Sequence, residues 1–296
     1  PVFGLTLNEA VELLRGEKGE PVTITISREG VEPFELEIIR DIIKVQSVKS
    51  DIYDNIGYLR ITSFSEQTEG GIIKSIKKIS NELNNKEKGY VLDLRSNPGG
   101  LLNQAVKVTD IFLDRGEIVS TRGRENKDIK RYKAKKGDYI KEKPLVVIIN
   151  SGSASASEIV AGALQDHKRA IIIGTQSFGK GSVQTIIPFQ KSNSEKATGI
   201  RLTTARYYTP SGESIQGKGI TPDIVVKQGK FESFNYKNIS ESDLKDSLDK
   251  DDQNVEASDN DDEALSKKEE KLKNDFQLQH ALDLVKGLSL YQESFQ

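Results

Sequence analysis

The fold is decided by the stretch Pro144-Leu-Val-Val-Ile-Ile-Asn-Ser-Gly-Ser-Ala-Ser-Ala-Ser-Glu158. Its first six residues are apolar and mostly β-branched, which is typical of a strand buried in a sheet. The small residues that follow predict a tight turn, and a helix is expected from about residue 157 to 166. A strand, a turn and a helix in this order predict one unit of a layered α/β core.

Strands and helices alternate on both sides of this stretch. Strands are expected at residues 56–61, 89–94, 144–149, 170–174, 183–187 and 199–208, and helices at residues 69–83 and 101–112. Residues 122–143 form a basic, polar stretch to which no element is assigned. The alternation predicts a fold of the α/β class with its core at residues 44–229.

The N-terminal residues 1–43 predict a small αββ unit. Thr6 can cap a helix together with Glu9, and two alternating strands follow at residues 22–26 and 34–38. This order resembles the C-terminal half of a PDZ domain, whose carboxylate-binding loop would lie upstream; any small αββ unit shows the same pattern. We expect the chain to be a fragment or a processed form, whose missing N-terminus could have carried a signal peptide or an anchor.

Composition excludes several function classes. The chain has 296 residues and no cysteine, which excludes disulfides and cysteine-ligated metal sites. Residues 241–263 include eleven acidic and two basic residues, which gives this segment a net charge of −9. Because the whole chain has a net charge of −2, the rest of the chain has a net charge of +7. We expect a disordered acidic linker at residues 230–274, with an acidic docking segment as the alternative. The positive charge of the remainder is not clustered with aromatic residues, so nucleic-acid binding is not expected.

The end of the chain, residues 275–296, predicts an amphipathic helix. Its apolar face would use Phe276, Leu278, Leu282 and Val285. We expect this helix to dock on the core, and it is also a candidate for oligomerisation. No apolar run in the chain approaches the ~20 residues of a membrane span.

Two strand-to-helix turns could supply an acyl-transfer site. Ser155 lies between a buried strand and a helix, where the N–H of Ala156 and the helix dipole would face a developing anion. The second turn, at residues 97–100, can offer the N–H of Gly99 or Gly100 as the other half of an oxyanion hole. Glycine-rich turns of this kind also serve packing or phosphate binding.

A serine nucleophile in this chain would take its base from a lysine. The chain has only two histidines, whereas Lys180 lies in the glycine loop at residues 177–181. This loop nearly matches the phosphate-binding pattern G-x-x-x-x-G-K-[ST]. However, Gly181 occupies the position of the Mg²⁺-binding hydroxyl, and residues 183–187 predict a strand where that pattern needs a helix. The loop therefore favours a Ser/Lys pair over a nucleotide site.

Several separate motifs occur in order along residues 1–226. They are Asp93-Leu-Arg-Ser-Asn-Pro-Gly-Gly-Leu101, Asn150-Ser-Gly-Ser-Ala-Ser-Ala-Ser-Glu-Ile159, Gly174 through Gln184, Tyr207-Tyr-Thr-Pro-Ser-Gly212 and Gly219-Ile-Thr-Pro-Asp223. The combination resembles the carboxyl-terminal processing peptidases, serine peptidase family S41. The resemblance implies a PDZ domain attached to a ClpP/crotonase-like α/β core.

The resemblance also implies the roles of the site residues. Ser155 would be the nucleophile, Lys180 the general base, and Gln184 the residue that orients the lysine. Ala156 and either Gly99 or Gly100 would donate to the oxyanion. Sequence alone does not choose among the three serines of the turn, at positions 153, 155 and 157.

A lysine acts as a base only when it is neutral, and the ordinary pKa of this side chain is about 10.4. An apolar surrounding disfavours the ammonium form, so we expect Phe178 and nearby strands to bury Lys180, with no carboxylate paired to it. Ser155 would then lose its proton to Lys180 and attack a peptide carbonyl. Asp166 is expected to have a structural role, through a pair with Arg169 or another basic group.

The implied substrates are proteins with flexible, apolar C-terminal tails that are cut near that end. The implied location is the periplasm or the outer side of the bacterial cytoplasmic membrane, with membrane association through a missing N-terminus and homo-oligomerisation as further expectations. No cofactor, metal, nucleotide or nucleic acid is expected. The alternatives are a non-catalytic PDZ-type peptide-binding adaptor and a crotonase-like acyl-transfer enzyme that acts on small thioesters.

Overall fold

The computed structural model describes residues 2–42, 46–135, 137–188, 199–229, 272 and 274–294. The chain divides into two units, Pro1–Gln46 and Ser47–Gln296. The expected acidic linker at residues 230–274 lies outside the described residues, except for positions 272 and 274.

The first unit has the predicted αββ order. It consists of the helix α1 (Leu7–Leu14) and the antiparallel strands β1 (Pro21–Arg28) and β2 (Val31–Ile39). The helix begins with a capping box, because the Thr6 hydroxyl accepts from the N–H of Glu9 and the Glu9 carboxylate accepts from the N–H of Thr6 at 2.8 Å.

Besides a 3₁₀ helix at Asn126–Asp128, the second unit contains ten strands and four of the longer α-helices among its described residues. In chain order they are β3 (Val48–Tyr53), β4 (Ile56–Ile61), α2 (Thr68–Glu82), β5 (Gly89–Asp93), α3 (Leu102–Asp110), β6 (Glu117–Arg122), β7 (Lys130–Lys133), β8 (Leu145–Ile149), α4 (Ala156–Asp166), β9 (Ile171–Gly174), β10 (Ser182–Pro188), β11 (Gly199–Tyr208), β12 (Ile224–Val225) and α5 (Phe276–Glu293). Six strands form one sheet in the order β12-β9-β8-β5-β4-β3, in which only β3 is antiparallel to its neighbour. The strands β10-β11-β6-β7 form a second, antiparallel sheet.

The six-stranded sheet is covered on both faces, which explains why its central strands are nearly continuous apolar runs, interrupted by Arg60 in β4 and Asp93 in β5. One face packs against α2, α3 and α4, and contributes Leu59, Leu92, Val147 and Ile172 to a buried cluster with these helices. In each of these strands, a neighbouring residue points to the opposite face of the sheet, against which α5 packs. That second cluster joins Tyr58, Val91, Val146 and Ile173 of the sheet to Leu278, Ala281, Leu282 and Val285 of α5. The prediction that the C-terminal helix docks on the core is therefore confirmed.

Four strands have no counterpart in the sequence-based assignment. The sequence predicts no strand at β3, β6 or β12, and β7 lies within the stretch 122–143 to which no element is assigned. β7 consists of Lys-Arg-Tyr-Lys, and only its tyrosine is partly buried. A strand of charged residues lacks the apolar signal on which strand prediction depends.

None of the described helices combines the length and the apolar character that crossing a bilayer would require.

Candidate active site

Three loops meet at the carboxyl edge of the six-stranded sheet. β5, β8 and β9 are parallel neighbours, so the residues that follow them lie side by side. We call residues 95–100 after β5 the glycine turn, residues 150–155 after β8 the serine turn, and residues 175–181 after β9 the lysine loop. These loops carry all the predicted site residues except Ala156 and Gln184.

The serine turn and the glycine turn are bonded to each other. The main-chain oxygen of Asn97 accepts from the N–H of Ala154 and from the hydroxyl of Ser157, both at 3.0 Å. A Cβ atom added to Gly99 would lie 2.8 Å from the Cβ of Ser155 and 3.0 Å from the nitrogen of Ala156, and Gly99 has a φ of +101°. The position therefore requires glycine, and it faces the nucleophile candidate and the start of α4.

The surroundings of the three serines favour Ser155 as the nucleophile. Ser153 and Ser157 are fully buried, and their hydroxyls donate to the main-chain oxygens of Leu94 and Asn97. Ser155 is half-buried and has a φ of +56° and a ψ of −109°, a conformation that non-glycine residues rarely adopt. Such strain is concentrated at functional sites.

Two N–H groups are available to an oxyanion. Ala156 is the first residue of α4, so its N–H has no partner within the helix. The N–H of Gly99 donates to Oδ1 of Asn97 at 2.9 Å and is already committed. Of the two glycines that the sequence left open, Gly100 therefore remains as the candidate for the second donor.

Glu158 is a site residue that sequence reasoning missed. Its side chain is fully buried on α4. Its Oε2 accepts from the main-chain N–H groups of Ser155 at 2.7 Å and Lys180 at 2.9 Å. Its Oε1 accepts from the hydroxyl of Ser177 at 2.6 Å and from the N–H of Gly179 at 2.5 Å. One carboxylate thus fixes the backbone of the serine turn to that of the lysine loop.

The available sequence signal for Glu158 pointed to another role. Ser155-Ala-Ser-Glu158 matches the capping-box pattern S-x-x-E, in which the glutamate bonds the backbone at the start of its own helix. Glu158 does bond the N–H of Ser155 in this way. The three bonds to the lysine loop depend on tertiary structure, and a capping pattern does not predict them.

The expectation that Phe178 buries Lys180 is wrong. The side chain of Phe178 is 68% exposed, while its main-chain N–H donates to the oxygen of Ser153 and holds the lysine loop against the serine turn. Lys180 itself is half-buried. A carboxylate does reach Lys180, but at its main-chain N–H rather than at its amine.

Gln184 is not joined to the other site residues. It lies on β10, where its partner is Thr203 of β11, and its side chain is exposed. Among the described residues no hydrogen bond connects Gln184 to Lys180. The structure therefore brings Ser155, Ala156, the two glycines and Lys180 to one place, and the role of Gln184 stays a prediction.

The suggested pair between Asp166 and Arg169 is wrong. Asp166 accepts from the N–H of Ser211 at 2.8 Å, and Arg169 pairs with Asp138 at 3.0 Å. Asp166 thus fixes a neighbouring turn, which fits the structural role that was expected for it. Within the described part of the chain, no group of three or more histidine, aspartate or glutamate residues could hold a metal ion.

The sequence profile described as Peptidase family S41 matches residues 55–226, which is more than half of the chain and includes all six predicted site residues. The chain belongs to peptidase family S41. Among curated S41 relatives, the carboxy-terminal-processing protease of Bartonella bacilliformis is 60% identical over 235 residues, covering 79% of this chain and 53% of that protein. The carboxy-terminal processing protease CtpA of Bacillus subtilis is 39% identical over 236 residues, covering 79% of this chain and 49% of that protein.

A solved structure is also similar to this S41 chain. The photosystem II D1 C-terminal processing protease is 31% identical, with a TM-score of 0.54, over 76% of this chain and 60% of that one. The mixed α/β fold is therefore that of S41 proteases. The chain spans about half the length of the curated relatives it matches.

Proposed function

We propose that this chain is a serine endopeptidase of the C-terminal processing type, with Ser155 as nucleophile and Lys180 as general base. The observation that carries the proposal is the buried carboxylate of Glu158, which holds the backbones of both residues on one oxygen atom. Membership of family S41 and the names of the relatives support the same reaction.

The proposed reaction assigns one step to each of these groups. Ser155 Oγ would attack the carbonyl carbon of a peptide bond while its proton passes to Nζ of Lys180. The negative charge that forms on the carbonyl oxygen would be stabilised by the N–H groups of Ala156 and Gly100. Lys180 would then give the proton to the leaving amine, and a water molecule would repeat the sequence to release the acyl group as a carboxylic acid.

The substrates we propose are polypeptides with flexible, apolar C-terminal tails, cut near that end. The relatives are named for carboxy-terminal processing, which supports this class. We further propose that the second unit is a ClpP/crotonase-like core and that the first unit is the C-terminal half of a PDZ domain. The order α1-β1-β2 of the first unit supports the PDZ assignment.

The test is cleavage of an unstructured protein with an apolar C-terminus, followed by mass spectrometry of the products. Ser155→Ala and Lys180→Ala should be folded but inactive, because each variant removes a group that the proposed reaction needs. Ser151→Ala and Lys218→Ala serve as matched controls, because both residues are exposed and should be dispensable. Cleavage by Lys180→Ala at the parent rate would show that the base is another group.

A further inference from the structure

Arg95 begins the glycine turn and is almost completely buried. Its Nε and Nη2 donate to the two carboxylate oxygens of Asp93 at 3.0 and 2.7 Å. Its Nη1 and Nη2 donate to the two oxygens of Asp275, both at 2.7 Å. Gln277 accepts a further bond from Nη1 at 3.2 Å. The guanidinium is therefore held between β5 and the start of α5.

Asp275 lies 180 residues beyond Arg95 in the chain. It is the N-cap of α5, where its side chain also accepts from the N–H of Leu278 at 3.1 Å. Its side chain is mostly buried. Burial alone would raise the pKa of Asp275, but the hydrogen bonds and charge of Arg95 more than offset this, so that its pKa lies below the usual range. The carboxylate of Asp275 is therefore ionised at neutral pH.

The charges around Arg95 balance within one buried cluster. Asp93 also accepts from the hydroxyl of Tyr58 at 2.7 Å and pairs with Arg60 at 3.3 Å. The cluster thus contains two guanidinium groups and two carboxylates. Removal of the charge on Asp275 would leave an excess positive charge on Arg95, and breaking a buried pair by removing one partner is strongly destabilising.

We propose that Asp275 is a positioning residue for the active site, which acts through Arg95 to hold the glycine turn and the N–H of Gly100 against the serine turn. This inference rests on the proposed function. The glycine turn needs such support because Ser96, the non-glycine residue next to Arg95, has a φ of +55°. The C-terminal helix is then part of the catalytic apparatus as well as of the core.

The test compares Asp275→Asn with two controls in the full chain. Asparagine is also a good N-cap, so this variant removes the charge that Arg95 requires and keeps the start of α5. Lys286→Ala removes the pair with Asp54, which lies near the middle of the helix and away from Arg95. Leu282→Ala leaves a cavity beneath the same helix without touching Arg95.

For Asp275→Asn we expect kcat to fall at least about tenfold with KM little changed, because an oxyanion donor moves away from the transition state. Leu282→Ala should lower the thermal midpoint as much or more, yet keep kcat within about twofold of the parent. Equal losses of kcat in the two variants, or an unchanged kcat in Asp275→Asn, would overturn the proposal.

A readout that needs no activity separates this inference from the proposed function. Hydrogen exchange of the amides at residues 95–101 should be faster in Asp275→Asn and unchanged in Lys286→Ala. If the parent cleaves nothing, the proposed function fails, while faster exchange confined to the Asp275 variant would still support the link to the glycine turn. Equal exchange in all the variants would refute that link.

Discussion

Replacing Glu158 with glutamine tests whether one carboxylate aligns the nucleophile and the base. Glu158 accepts four hydrogen bonds, two on each carboxylate oxygen. Glutamine has an amide nitrogen in place of one of these oxygens, and this nitrogen cannot accept a hydrogen bond. The best orientation of glutamine keeps its oxygen toward the N–H groups of Ser155 and Lys180. Its NH₂ group then faces Ser177, whose hydroxyl can rotate to accept, and Gly179, whose N–H loses its partner.

The cost can be estimated from that geometry. One buried N–H without a partner should lower the free energy of unfolding by about 1–3 kcal/mol. The two bonds that remain would also lose the strength that a charged acceptor gives. We expect the shift of the serine turn and the lysine loop to raise the activation free energy by about 1.4–2.7 kcal/mol, which corresponds to a fall in kcat of about 10- to 100-fold.

The assay measures kcat and KM on an unstructured protein substrate together with urea unfolding. Glu87→Gln is the matched control, because Glu87 is also a buried carboxylate but lies before β5, at the opposite edge of the sheet. It bonds Ser80 and Lys143 there. Glu87→Gln should lower stability and leave kcat unchanged. An unchanged kcat in Glu158→Gln, or an equal fall in both variants, would refute the alignment role.

Three further predictions concern the same unit. Gly99→Ala should lower kcat at least about tenfold because the added Cβ would crowd the oxyanion donors. Gly116 lies outside the site and has a φ of +106°. The control variant Gly116→Ala should therefore lower only the thermal midpoint. Ser153→Ala and Ser157→Ala should each lose about 1–3 kcal/mol of unfolding free energy and still cleave substrate. The lowered pKa of Asp275 stabilises the fold at pH values above the pKa of an unfolded aspartate, which is about 3.9. This stabilisation should be lost as the pH falls through the lower pKa of the folded state. In thermal melts below about pH 4, the midpoint of Asp275→Asn should therefore depend less on pH than that of the parent.

Much of the fold could be predicted from the sequence because its signals are local. The run that forms β8 is apolar throughout, the run that forms β5 is apolar up to Asp93, and the small residues after β8 mark the turn that holds Ser155. Each of these elements begins and ends within one or two residues of its expected position. Family resemblance, rather than spacing, selected Ser155 and Lys180, and the burial of the neighbouring serines then supported that choice.

The parts that could not be predicted depend on contacts between distant residues. Glu158 matches a local capping pattern, yet three of its four bonds reach residues 19 to 22 positions away. The pair between Arg95 and Asp275 joins residues whose separation gives no periodic signal. Phe178 has an apolar side chain, which favours burial, yet this side chain is exposed while its main-chain N–H bonds the oxygen of Ser153.

Covalent labelling with a fluorophosphonate, followed by peptide mapping, tests the central claim most directly. Such a reagent phosphonylates an activated serine, forming a bond between the serine oxygen and phosphorus as fluoride leaves, so it reports the nucleophile and its base together. We predict a single adduct on Ser155 that forms at the parent rate in Lys218→Ala and is lost in Lys180→Ala. An adduct on Ser153 or Ser157, or labelling of Lys180→Ala at the parent rate, would contradict the account.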